Sequence, residues 1–302
     1  MTNTHDKINR VGFLLPLFYL VTPTLVALRS IACINDIDAD GMGYFGDSTL
    51  MKACNIAVLI FSIIFSLHVF TKNKKDSLPR ESFSNTPTHI TSGMLGAAII
   101  LAIYELISPF ITSGAPVKIA TSDVIVIASA ALGAAAPVFL LLNAIAEKKH
   151  SQVRAALGIA TSLFFTSYGA CVYLDTSVAP NMQQRILTIL ALVVAAIFML
   201  HETRIPLGHS RWHSYVAFGL IASLLLSYSA IPALVYYVAR GAVIPGATLT
   251  QLALSTTAAI YVLTRVTLIA TAPEDETCDL AESILDMAHK RKQKSLLRAR
   301  II

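Results

Sequence analysis

Residues 36–47 form the one stretch whose spacing alone points to ligand chemistry. Asp36, Asp38, Asp40 and Asp47 stand at positions 1, 3, 5 and 12 of that stretch, with Gly41 at position 6. Alternate carboxylates aim at a common centre, and the glycine allows the sharp turn that brings the last one round. Calcium, which takes six to eight oxygens, is the ion this set suits, with the carbonyl of Met42 as a further ligand.

The twelve residues resemble a calcium loop of the EF-hand type. Two positions depart from it. Asp47 stands where a longer Glu normally coordinates through both oxygens, and Gly43 where an apolar residue ties the loop down. Calcium is the only cofactor this chain suggests, and the acids can equally serve as a diffuse attractor of cations. Cys33 and Cys54 bracket the loop, so a disulfide there would staple its flanks in an oxidising compartment; free thiols in apolar surroundings are the alternative.

The remaining candidates are ionisable groups inside apolar runs, where each costs at least about 2.5–3.5 kcal/mol at mid-bilayer and therefore turns to the protein interior or to water. Arg29 and Glu105, with Tyr104 beside it, fall at similar depth and are expected to form a substrate or ion site as a pair. Against that stands a plainer arrangement, with Arg29 snorkelling to headgroups and Glu105 bonded to a neighbouring helix. Arg265 falls near the opposite surface, at the level of His68, His201 and Glu202, either as a cluster or as separate side chains reaching water. No lysine lies within a predicted span. There is no Gly-x-Ser-x-Gly, no His-Glu-x-x-His and no Gly-rich phosphate loop, which leaves an enzyme without visible machinery.

These residues are carried by a chain that is 55% apolar and 14% charged over 302 residues, a balance unsuited to a water-soluble core. The apolar residues fall in blocks of about 20, the length that carries an α-helix across roughly 30 Å of hydrocarbon. Hydropathy predicts eight spans, near 12–32, 53–70, 92–112, 122–145, 155–174, 186–202, 214–239 and 249–271. The blocks are too long and too uniform for barrel strands. The expected fold is an all-α polytopic bundle over residues 1–271.

Cations assign the sides. Seventeen of the 23 Lys and Arg residues flank one side: Lys7, Arg10, Lys72, Lys74, Lys75, Arg80, Lys148, Lys149, Arg154, Arg204, Arg211 and six between Lys290 and Arg300. Lys52, Lys118, Arg185 and Arg240 flank the other. The asymmetry predicts cytoplasmic N- and C-termini in a bacterial cytoplasmic membrane, with the acidic loop outside. The basic balance thus points to anionic lipids, not to nucleic acid. A signal-peptide reading of the first span fails on its length, on Pro16 and Pro23, and on Arg29 just before the faint cleavage box at residues 30–33.

Residues 72–91 read as a flexible link. The tail, 272–302, begins acidic and ends basic, with Leu280, Ile284, Met287 and Ala288 at helical spacing. It predicts an amphipathic cytoplasmic helix over 279–298, lying on the membrane or against a protein partner. Gly96 and Pro109 match the spacing of Gly219 and Pro232, which suggests parallel repeats of four spans. Small residues from Ala128 to Ala136 predict a close helix approach in the fourth span.

Two function classes follow. One is a transporter or channel-like protein for a small polar solute or ion, in which Glu105→Gln is expected to abolish flux. The other is a non-catalytic sensor or accessory subunit, with the acidic loop as input and the tail as the surface a partner reads.

Overall fold

A computed structural model describes residues 14–37, 48–71, 86–112, 121–145, 151–175, 182–205, 207 and 212–271. Eight helices run α1 (Leu14–Asp36), α2 (Thr49–Thr71), α3 (Thr86–Thr112), α4 (Thr121–Ile145), α5 (Ser151–Leu174), α6 (Gln183–Arg204), α7 (Trp212–Arg240) and α8 (Leu249–Thr271). There is no strand among the described residues, and every helix is long and apolar enough to cross a membrane. The chain is a polytopic helical bundle, as its hydropathy predicts. The calcium-loop residues Asp38, Asp40, Met42 and Asp47, the side chain of His68 and the tail lie outside the described residues.

Several helices extend past the predicted spans, α2 and α3 where a polar first turn finds local partners. Residues 86–91, read from sequence as part of a link, are the start of α3. Pro87 suits a first turn because it lacks an amide hydrogen that would have no partner there, and the Thr91 hydroxyl donates back to the Pro87 carbonyl at 2.9 Å. Ser48 holds the start of α2. Its Oγ accepts from the Met51 amide at 3.1 Å and donates to the Asp36 carboxylate at the end of α1. The two flanks of the acidic loop are thereby tied together without a disulfide, and Cys33 and Cys54 are free and buried. At the far end of α7, Gly241 takes φ +71°, a left-handed cap that returns its amide to the Tyr237 carbonyl at 2.8 Å.

α3, α4, α5, α6, α7 and α8 each pack on the next, and α8 returns to α3, closing a ring; α1 and α2 form a hairpin on the flank of α7. α7 is consequently the most enclosed helix and α2 the least. This arrangement overturns the repeat expectation. α6 packs along α7, while the equivalent α2 and α3 form no packed pair, so the two halves are not built alike. α1 packs into the bundle, with Ala32 and Cys33 fully buried.

Small residues set the closest approaches. A Cβ on Gly133 of α4 would meet Phe164 and Ile103 at 2.9 Å, so the small-residue surface of α4 does seat its neighbours, α5 and α3. At Gly219 of α7 an added Cβ would run into Val266 of α8, and would lie 3.1 Å from Phe198 of α6. Valine is stiff about χ1 and cannot swing clear. Gly219→Val is therefore expected to lower stability by about 1–3 kcal/mol, read as a lower midpoint in thermal unfolding of the purified protein. An unchanged midpoint would show that α7 and α8 separate freely here.

Candidate functional site

Two fully buried arginines lie at opposite ends of the bundle, and their surroundings differ in kind. At the end where α2 leads to α3, Arg265 of α8 meets Glu202 of α6, also fully buried. Arg265 Nε donates to Oε1 at 2.8 Å and Nη2 to Oε2 at 2.9 Å, the two-pronged geometry that suits a guanidinium and a carboxylate. The Tyr215 hydroxyl of α7 donates to Oε1, and Asn143 Nδ2 of α4 donates to Oε2 at 2.8 Å. Arg154 Nη2 at the start of α5 donates to Asn143 Oδ1 at 2.9 Å. One carboxylate, whose two oxygens each receive two donors, thus pins four helices, and Asn143 ties in a fifth, α5. The expectation that these side chains separately reach water is corrected: a carboxylate at this depth is held only if its lone pairs are filled from within. His201 takes no part in these bonds; it stacks on Phe218 with centroids 5.3 Å apart.

At the other end Arg29 of α1 pairs with no carboxylate among the described residues. Nη2 donates to Gln184 Oε1 of α6 at 2.9 Å, while Nε and Nη1 have no hydrogen-bond partner. Gln184 is oriented for this role because its Nε2 donates to the Ser229 carbonyl of α7 at 2.9 Å, which leaves the oxygen facing Arg29. The guanidinium carbon lies 4.5 Å from the centroid of the Tyr228 ring. The Tyr228 hydroxyl in turn donates to Asn55 Oδ1 of α2 at 2.8 Å.

The expected Arg29–Glu105 pair does not form. Glu105 accepts a hydrogen bond from Thr248 Oγ1 at 3.2 Å, tying α3 to the residue preceding α8, and Tyr104 is 67% exposed on the outside of the bundle. The plainer arrangement holds for Glu105 but not for Arg29, which is buried in the protein rather than snorkelling. The ring explains the separation: α3 adjoins α4 and α8, whereas α1 sits on the flank of α7. Of the calcium set only Asp36 is described, and its carboxylate is engaged with Ser48. No cluster of three or more metal-ligating side chains occurs among the described residues.

Arg29 lines a groove of about 590 Å³ with Asn55, Val58, Leu59 and Ser62 of α2, Gln183, Ile186, Leu187, Leu190 and Val194 of α6, and Ile221, Leu225 and Tyr228 of α7. The groove exists because α2 and α6 both lean on α7 without forming a packed pair. Its volume is in the range of about 300–1,000 Å³ typical of small-molecule sites. Sequence reasoning singled out Arg29 but missed Gln184, Tyr228 and Asn55. Their only signal is a polar group within an apolar run, which many packing residues share.

The fold and site together define a polytopic helical membrane protein with a buried cation, unpaired with a carboxylate among the described residues, beside a groove. No protein family, curated protein or solved structure matches the chain.

Proposed function

We propose that this protein is a membrane carrier for an anionic solute, with Arg29 as the binding charge. The observation that carries the reading is a fully buried guanidinium with two nitrogens that have no hydrogen-bond partner and, among the described residues, no carboxylate beside it. Desolvating a cation costs several kcal/mol. A charged hydrogen bond returns about 1.5–3 kcal/mol and a desolvated cation–π contact about 2 kcal/mol. Arg29 therefore gains little for the fold and is well placed to gain from an anion. The first turn of α6 reinforces the preference, because Met182 at its N-cap makes no side-chain hydrogen bond and the helix presents the positive end of its dipole there. The cation asymmetry of the loops supports a bacterial cytoplasmic membrane, cytoplasmic termini and Arg29 in the outer half.

The test is uptake into proteoliposomes of chloride, acetate, inorganic phosphate and decanoate. At least one is expected to move, and Arg29→Met to slow it at least tenfold. Glu105→Gln, one residue outside this site, is expected to leave the rate unchanged. Uptake at the wild-type rate by Arg29→Met would refute the reading. A sensor or accessory subunit is the second reading, favoured by the five-helix lock around Glu202, which opposes the rocking a carrier needs. Anion binding that depends on Arg29, without uptake of any of the four, would select it.

A further inference from the structure

We infer that the anion Arg29 receives is the headgroup of an amphiphile whose alkyl chain lies along the groove, entering sideways from the lipid. This rests on the anion-site reading above and adds the ligand class and its route.

The argument is the order of residues along the groove. On each of its three walls the polar group stands at the same end. α2 begins with Asn55 and continues to Val58 and Leu59; α6 begins with Gln183 and continues to Ile186, Leu187, Leu190 and Val194; α7, running the opposite way, places Tyr228 at that end and Leu225 and Ile221 further in. Arg29 joins the polar end through Gln184 and Tyr228. Ser62 is the one polar exception deeper in the groove, and its hydroxyl donates to the Val58 carbonyl at 2.8 Å, leaving little to offer a ligand. A small hydrophilic anion needs no such apolar extension. From Gln183 to Val194 is eleven residues, about 16 Å at about 1.5 Å per residue, or half of the roughly 30 Å hydrocarbon layer. That is the depth of one leaflet.

The groove also opens in the right direction. Leu59, Ile186 and Leu190 on its walls are 62%, 53% and 49% exposed, so its rim faces the side of the bundle that lipid would cover, not an internal aqueous channel. Arg29 itself has no exposed surface, and Tyr228, held by Asn55, lies against the guanidinium. The headgroup is admitted when the Tyr228 ring swings off the guanidinium and its hydroxyl leaves Asn55. The bond to Gln184 can persist, because it uses Nη2 and leaves Nε and Nη1 for the anion.

The test measures binding of dodecyl phosphate, inorganic phosphate and dodecanol to the purified protein in a neutral detergent by saturable shifts of the unfolding midpoint. Dodecyl phosphate is expected to bind at least tenfold more tightly than inorganic phosphate, and dodecanol not to bind saturably. Leu190→Trp, on the exposed rim where a larger ring is tolerated, is expected to weaken dodecyl phosphate at least tenfold. Equal affinity for the two phosphates, full-strength dodecyl phosphate binding in Leu190→Trp, or no saturable binding of dodecyl phosphate would overturn the inference. Phosphate binding that Arg29→Met abolishes would in those cases leave the anion-site reading standing. Wild-type binding of both phosphates by Arg29→Met would remove both.

Discussion

Glu202→Leu is expected to destabilise the protein by about 3–5 kcal/mol, the largest single-residue effect the structure predicts. The substitution removes the acceptor of both bonds from Arg265, of the Tyr215 hydroxyl and of Asn143 Nδ2, and it leaves the guanidinium without its carboxylate in a site closed to solvent. The expected readout is a large fall in the unfolding midpoint, with loss of properly folded yield. Because the cost lies mostly in the stranded charge rather than in the missing bonds, Glu202→Leu combined with Arg265→Met is expected to recover most of the loss. A double variant as unstable as the single one would place the energy in Tyr215 and Asn143 instead.

Arg29→Met is the counterpart, with the opposite balance of stability and function. Methionine fills similar apolar volume and carries no charge, so the desolvation cost disappears along with the Gln184 bond and the Tyr228 contact. The gains and losses are each a few kcal/mol, and the net change in stability is expected to be within about 1 kcal/mol. Anion binding, in contrast, is expected to fall at least tenfold. An intact fold with lost binding separates Arg29 from Glu202, whose loss is felt by the bundle itself. A buried charge that adds little to the fold is most naturally assigned to a ligand.

The contrast between these two arginines shows what a single chain does and does not disclose. The spans were legible because hydrocarbon leaves a backbone few choices, and long apolar runs record that directly. Helix ends were less so: the polar Thr86–Thr91 turn of α3 looks like a link until Pro87 and its carbonyl are seen to organise it. Among charged groups, depth alone was readable. Depth set Arg265 level with Glu202 without deciding that they pair, and it also paired Arg29 with Glu105, which the closed ring from α3 to α8 keeps apart. Close approaches such as those of Gly133 and Gly219 against bulky partners are a matter of shape that hydropathy does not carry. For the same reason the groove between α2 and α6 had no trace in the sequence. It is a consequence of two helices sharing α7 without packing on each other.

The most direct test of Arg29 as an anion site is the unfolding free energy of the wild type and of Arg29→Met, each with and without dodecyl phosphate at about a hundredfold excess over its wild-type dissociation constant. A ligand that binds only the folded state adds about 2.7 kcal/mol at that excess. The wild type is predicted to gain this increment and Arg29→Met, with a site at least tenfold weaker, to gain no more than about 1.4 kcal/mol. An equal gain in both proteins would contradict the assignment.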